Sequence, residues 1–456
     1  MTKKLPIFPL LLIIIVVVVS GCDRAESVLE GPTTVVDPSV AAVATAVSQP
    51  TPPTEPTILI EPETALADEP VAIQVLGLKP EQTITLRASM RDGYSRKWES
   101  EATFAVDSTG DVDVTMQAPL SGTYAGVDPM GLIWSMVPKT LGGRSALFVT
   151  GENIQVVVTL TAEIDGETID TAYFRRLRQR EDVEMFAVSE DGLVGFFFAP
   201  ETTEPVPTLL VLSGSDGGVD IPKAAMLASH GYATLALDYF GNEPLPLSLT
   251  EVPVEYFATA VTWLKSQDVV DGNKIGVIGT SRGGELALLL GATYPELFEV
   301  VVGYVPSGLV IGNFGADSIG ETSAWTFAGE PIPFYSEAED NLEEATISVE
   351  KIQGPVLLIS GKDDQLWDST YLADIAINRL VQHNHPYPYE HLAYENAGHW
   401  IGVPYWPTTG RDSFTHPVSG DQYSVGGTPA GDALASADSW VRLLEFLASN
   451  LAEDDS

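Results

Sequence analysis

The chain has 456 residues, enough for two domains and a large buried core, and carries 63 acidic against 23 basic side chains for a net charge of −40. That charge repels polyanions at long range and excludes nucleic acid as a partner. A single cysteine, Cys22, excludes an intrachain disulfide, a cysteine zinc cluster and a thiol nucleophile in the folded body.

In chain order, Lys3-Lys4 precedes an apolar run from Leu5 to Val19, which is shorter than the roughly 20 residues that span a bilayer. The run reads as a secretion signal, and Val19-Ser20-Gly21-Cys22 resembles the lipobox of bacterial lipoproteins. Residues 1–22 are therefore expected to be a signal peptide, with lipid on Cys22 tethering an extracytoplasmic protein to a bacterial membrane. An uncleaved anchor is the alternative. Residues 23–56, rich in Val, Ala, Thr, Ser and Pro, read as an extended tether.

Strict alternation follows in Ile84/Leu86/Ala88/Met90, in Val112/Val114/Met116 and in Ile154/Val156/Val158/Leu160/Ala162/Ile164. Period two between turn residues predicts an antiparallel β-sandwich over residues 57–180. From about Leu193 continuous apolar runs alternate with amphipathic stretches, the grammar of parallel strands covered by helices, and residues 181–453 are assigned to an α/β domain. Its predicted strands are Thr208–Leu212, Ala233–Tyr239, Lys274–Gly279, Val300–Val305, Val356–Ser360 and Glu390–Tyr394. Helices are predicted over Val254–Gln267, Arg282–Thr293 and Leu434–Leu451. Between the fourth and fifth strands, Ser307–Ser348 lacks periodicity and reads as an inserted lid or acyl pocket, with Phe314, Trp325, Phe327 and Phe334 as its apolar surface.

Gly279-Thr280-Ser281-Arg282-Gly283 lies between a strand and a helix, the setting in which a nucleophilic serine stands on a strained turn and flanking glycines let the backbone fold back. Ser281 is the candidate nucleophile. After the strand Val356–Ser360 come Gly361-Lys362-Asp363-Asp364, and Asp364, three residues past the glycine, is preferred as the acid, with Asp363 as a turn residue. His399, in the small-residue loop after a late strand, completes a Ser-Asp-His order expected of an α/β-hydrolase. His383, His385 and His391 lack the carboxylate spacing of a metal site, while His230 and His416 read as surface or helix-end residues. No metal and no cofactor is called for. The N–H of Arg282 and that of Ser215 or Asp216 are the candidate oxyanion donors, although the glycine-rich loop 213–218 also reads as a phosphate cradle. Arg175, Arg176, Arg178 and Arg180 form a basic run, read as an interdomain segment paired with carboxylates rather than a site facing a phosphorylated substrate.

Together these motifs resemble the family of acyl-CoA thioester hydrolases and bile acid-CoA:amino acid N-acyltransferases. The resemblance rests on Asp68-Glu69-Pro70, Gly77-Leu78, Trp98-Glu99-Ser100, Gly122-Thr123-Tyr124 and above all Asp128-Pro129-Met130-Gly131-Leu132-Ile133-Trp134-Ser135-Met136. Further along it rests on Gly279 to Glu285, Ser360 to Trp367, Gly398-His399 and Pro404-Tyr405. It implies an immunoglobulin-like N-terminal domain on an α/β-hydrolase domain, with Ser281, Asp364 and His399 at the triad positions and an acyl ester or acyl-CoA as substrate. The acyltransferase branch uses cysteine where this chain has Ser281, which favours hydrolysis over transfer to an amine. A non-catalytic surface binding protein is the reading from another class. An exported protein also meets little acyl-CoA, so the inherited substrate is open, as is the oligomeric state.

Overall fold

The computed structural model describes residues 55–139, 147–151, 154–336 and 341–451. The signal, Cys22 and nearly all of the expected tether lie outside the described residues.

The N-terminal region is mostly sheet. Thr57–Glu61, Ala72–Leu76 and Val112–Asp113 form a three-stranded antiparallel sheet. A larger sheet runs in the order Thr64–Leu66, Glu167–Leu177, Gln155–Ile164, Thr83–Arg91, Lys97–Ala105, Ser121–Gly122, with Val137–Pro138 also on Lys97–Ala105. Only Thr64–Leu66 pairs in parallel there, with Glu167–Leu177. Alternation sets the register: Ile84, Leu86, Ala88 and Met90 stand opposite Phe104, Ala102, Ser100 and Trp98, and all eight are buried. A slip of one residue would turn every one of them to solvent. Inward residues of both sheets, among them Ile58, Ile73 and Val75 with Leu86 and Val158, join one apolar cluster. The predicted Val112/Val114/Met116 strand is a correction: it pairs over two residues only, and Met116 is 75% exposed, because hydrogen bonds from the N–H groups of Met116 and Gln117 to the Asp113 carbonyl fold the chain into a turn.

The α/β part is built on eight strands: β1 Val183–Val188, β2 Val194–Pro200, β3 Val206–Leu212, β4 Ala233–Asp238, β5 Val270–Thr280, β6 Val300–Tyr304, β7 Val356–Gly361 and β8 Tyr389–Tyr394. Their order is β1-β2-β4-β3-β5-β6-β7-β8, with β2 antiparallel to both of its neighbours, β1 and β4, and every other pair parallel. This is the α/β-hydrolase sheet. The strands β4, β6 and β7 are buried at every position, as expected of a parallel sheet covered on both faces. Helices α1 Ile221–Ser229, α2 Glu255–Leu264, α3 Arg282–Thr293, α4 Ser369–Gln382 and α5 Pro429–Leu451 supply the cover.

Sequence reading missed β1 and β2 and the helices α1 and α4. The core of β1 is a run of four exposed residues, Glu184 to Ala187, so neither period nor apolar continuity marks it. The helices were signalled: Asp220 caps α1 through the N–H of Lys223 with Pro222 in the first turn, and Asp368 caps α4 through the N–H of Tyr371.

Within the arginine run, Arg176 departs from the expected pairing with carboxylates. Arg176 is fully buried and donates to the carbonyls of Ala67 and Glu69, with its guanidinium 6.0 Å from the Tyr405 ring, and Arg178 donates to the Gly151 carbonyl. Arg180 pairs with the carboxylate of Asp182, as expected. The guanidinium's planar fork serves here to satisfy loop carbonyls that the sheets leave over.

Candidate active site

Strand β5 delivers Ser281 to the C-terminal edge of the sheet, where the chain reverses into α3. Ser281 sits at φ 58° and ψ −119°, a left-handed conformation that costs a non-glycine residue about 1–3 kcal/mol. The turn is held by the Ser281 N–H donating to the Tyr304 carbonyl at 2.8 Å and the Glu285 N–H donating to the Ser281 carbonyl at 3.0 Å. Glycine is required on both sides. A Cβ at Gly279 would lie 1.9 Å from the Gly283 carbonyl oxygen, and one at Gly283 would lie 2.3 Å from that of Ser213. Ser281 itself is 8% exposed.

Asp364 follows β7. Its side chain is inaccessible to solvent; Oδ1 accepts from the N–H groups of Leu366 at 3.0 Å and Trp367 at 3.3 Å, and Oδ2 lies 2.8 Å from His399 Nδ1. A carboxylate only accepts, so Nδ1 carries the ring proton and Nε2 presents its lone pair. His399, five residues beyond β8, is fixed by its N–H to the Val425 carbonyl at 2.8 Å and by the Trp367 ring at 6.0 Å. Gly361 lets the two loops meet, since a Cβ there would be 2.3 Å from the Gly398 carbonyl. Asp363 points elsewhere, accepting from the Gly427 N–H at 3.0 Å across the loop and from Gln365 Nε2 at 3.3 Å.

Because β5, β6, β7 and β8 are neighbours and parallel, Ser281, Asp364 and His399 all emerge at one edge of the sheet. The loop after β3 reaches the same place, for a Cβ built at Gly214 would stand 3.3 Å from Ser281 Cβ. Arg282 is the first residue of α3, so its N–H has no carbonyl four residues back to bond. In the loop after β3, the N–H of Ser215 or of Asp216 is the second candidate donor.

The inserted segment is tied to the serine turn. Arg282 donates to the carbonyls of Gly312 at 3.0 Å and Ile311 at 2.8 Å, and its Nε is 3.2 Å from Glu285. Glu285 accepts from Trp325 Nε1 at 2.8 Å and from the Ile311 N–H at 3.2 Å; burial pushes its pKa up to about 7 against the pull of Arg282. Trp325, read from sequence as apolar surface of a lid or pocket, is fully buried among Tyr239 and Phe257 and is core. Phe327 is exposed, and Phe334 is half-buried.

Several site residues were not legible. Lys223 is buried beneath the turn, donating to Thr280 Oγ1 with its ammonium 4.3 Å from the Tyr304 ring, and burial lowers its pKa. Asp432 accepts from the Gly398 N–H at 2.8 Å and so steadies the His399 loop. The expectation for His416 is wrong: it is 2% exposed and touches the loop after β3, because a hairpin of Ser413–Thr415 and Gln422–Ser424 folds it inward. His230 does end α1, bonded to Asp68. His391 lies between Ser360 Oγ and Asp374, His385 bonds the Gly354 carbonyl, and among the described residues no three metal-type side chains gather.

Sheet order and serine turn define an α/β-hydrolase. The family model described as "Acyl-CoA thioester hydrolase/BAAT N-terminal region" matches residues 68–190, and "BAAT / Acyl-CoA thioester hydrolase C terminal" matches 252–314 and 333–453. Acyl-coenzyme A thioesterase 6 of Homo sapiens is 31% identical over 417 residues, covering 87% of this chain and 97% of its own length. Its counterpart in Mus musculus is 32% identical over 397 residues, covering 83% and 93%. A putative dienelactone hydrolase of Klebsiella pneumoniae aligns in structure with a TM-score of 0.41 and 16% identity, covering 58% of this chain and 98% of its own. The chain belongs to the acyl-CoA thioester hydrolase/BAAT family. The family's C-terminal match breaks over residues 315–332, within the segment that Arg282 and Glu285 hold.

Proposed function

We propose that this protein hydrolyses an acyl thioester or ester through a Ser281-His399-Asp364 triad and an acyl-enzyme. The observation that carries the reading is the 2.8 Å bond between Asp364 and His399 Nδ1 at the edge of the sheet where Ser281 stands on its strained turn. His399 Nε2 takes the Ser281 proton as Oγ bonds the carbonyl carbon, and the oxyanion accepts from the N–H groups of Arg282 and of Ser215 or Asp216. Collapse breaks the bond to the leaving thiolate or alkoxide, which receives the proton from His399 and leaves Ser281 acylated. A water then gives a proton to His399 and bonds the acyl carbon. The second collapse returns that proton to Ser281 and frees the carboxylic acid.

An oxygen ester on Ser281 is less reactive toward amines than a cysteine thioester, which favours water as the acceptor. The test supplies medium- and long-chain acyl-CoA, p-nitrophenyl esters and free taurine, and follows thiol release, phenolate release and amide formation separately. Acid with free thiol or phenolate is the expected outcome. Amide as the main product contradicts hydrolysis, and turnover of esters without acyl-CoA keeps the mechanism while replacing the substrate.

Two finer readings accompany this one. The N-terminal sheets, whose inward faces feed one apolar cluster, are read as an immunoglobulin-like sandwich. The lipobox-like Val19-Ser20-Gly21-Cys22 supports a lipid on Cys22 and an extracytoplasmic membrane tether. Mass spectrometry should find diacylglyceryl on an N-terminal Cys22; an unmodified Met1 on membrane-associated protein contradicts it.

A further inference from the structure

His416 stands 201 residues from Ser215 in the chain and 3.0 Å from it in space, Nε2 to Oγ. Its other nitrogen, Nδ1, receives the Val418 N–H at 3.2 Å. A backbone N–H only donates, so Nδ1 holds a lone pair and the ring proton is on Nε2. Between the two residues the imidazole is therefore the donor and the hydroxyl the acceptor. Ser215 O–H is left to donate in turn, from a loop whose preceding residue lies against Ser281.

The ring has little freedom to do otherwise. Phe314 of the inserted segment lies 4.6 Å from it, and Phe414 and Tyr423 of the C-terminal hairpin lie at 5.7 Å and 5.8 Å. Burial lowers its pKa from the usual value of 6.5, opposed by Asp421, the charged group facing it from the hairpin, so the neutral ring predominates near pH 7. A charged ring would put a hydrogen on Nδ1, against the Val418 N–H.

We propose that His416 is a positioning residue of the reaction, which by donating Nε2–H to Ser215 Oγ holds the loop after β3 against Ser281 and presents the Ser215 hydroxyl as a further donor to the developing oxyanion. This rests on Ser281 as nucleophile. His416 touches no reacting atom and acts through Ser215. The hydroxyl adds to the two backbone N–H groups a donor that is oriented before substrate arrives, and preorientation is what gives such donors their effect.

The test compares His416→Phe, His416→Gln, Ser215→Ala and the Ser215→Ala/His416→Phe double variant on a p-nitrophenyl ester, with active sites counted by fluorophosphonate titration. Phenylalanine keeps the ring packing and removes the donor, whereas a glutamine amide reaches the Nε2 position and restores it. The expected results are a fall in kcat of about tenfold for His416→Phe and for Ser215→Ala with KM held within about twofold, the size of one lost hydrogen bond in the transition state alone. His416→Gln should recover most of it, and the double variant should be no slower than Ser215→Ala. Wild-type kcat in His416→Phe, an equal loss in kcat and in site count, or multiplied losses in the double variant would overturn the proposal. Ser281→Ala is run alongside: if it loses turnover, a failed His416 series is a failure of the positioning role alone, and if it keeps turnover, the nucleophile reading falls first.

Discussion

The two sheet systems of this chain spend their residues differently. In the N-terminal sheets the strand Thr83–Arg91 alternates between buried and partly or fully exposed positions along its whole length, whereas β4, β6 and β7 are buried throughout. The first arrangement carries its information along the strands, and the second carries it at the ends, in loops that touch one another through glycines. Gly361 shows this, with the Gly398 carbonyl 2.3 Å from where a Cβ would stand; the N-terminal region holds both kinds, Gly93 with Gly151 Cα 2.5 Å from that place and exposed Gly126 with nothing within 4 Å of it.

The sharpest break of that comparison is at the acid. Asp364→Asn should lower kcat by roughly 10⁴, because His399 loses its orienting carboxylate and takes the wrong tautomer. Asp363→Asn, which leaves the His399 bond intact, should cost less than about tenfold. Reversed effects in steady-state kinetics would move the acid to Asp363.

Next in size are the glycines. Gly361→Ala should destabilise by about 4 kcal/mol or more and cost activity through the displaced His399 loop, as an overpacked contact with backbone on the far side cannot relax. Gly126→Ala, at φ 83° with open space around it, should cost only about 1 kcal/mol and leave kcat unchanged. Denaturant midpoints and kcat for the two variants separate the packed loop contact from the open turn.

The smallest effect is a pH dependence. Burial pushes the Asp432 carboxyl up to about 6 from 3.8, so the folded protein holds this proton more tightly than the unfolded chain. The stability this adds is fully present below the unfolded value of 3.8 and is lost as pH rises through about 6. Asparagine at 432 keeps an oxygen for the Gly398 N–H but does not titrate. The melting temperature of wild type minus that of Asp432→Asn should therefore fall between about pH 4 and pH 7, by less than about 3 kcal/mol in free energy. A difference that is flat or rises with pH contradicts the raised pKa.

What the sequence made legible follows the same division. Alternation marked Thr83–Arg91 and Gln155–Ile164, and apolar continuity marked β3 through β7, because burial on one or both faces writes itself directly into composition. Ser281 stands in a motif whose strand, turn and helix are contiguous, and Asp364 and His399 each close a strand. The edge strand β1 escaped because its exposed face leaves no pattern. His416, Asp432 and Lys223 escaped for a different reason: each acquires its role only when segments tens to hundreds of residues apart are brought together, as with Ser215 and His416 or Gly398 and Asp432. Trp325 was misassigned because aromatic content is common to a pocket and a core, and its partner Glu285 is 40 residues away.

The central claim is that Ser281 is a nucleophile activated by His399 and Asp364. Its most direct test is labelling of the full chain with a fluorophosphonate, read by intact mass and by peptide mapping. The expected result is one adduct per chain, on Ser281, absent from Ser281→Ala and strongly slowed in Asp364→Asn. An unlabelled wild type, or an adduct on another residue that persists in Ser281→Ala, would contradict it.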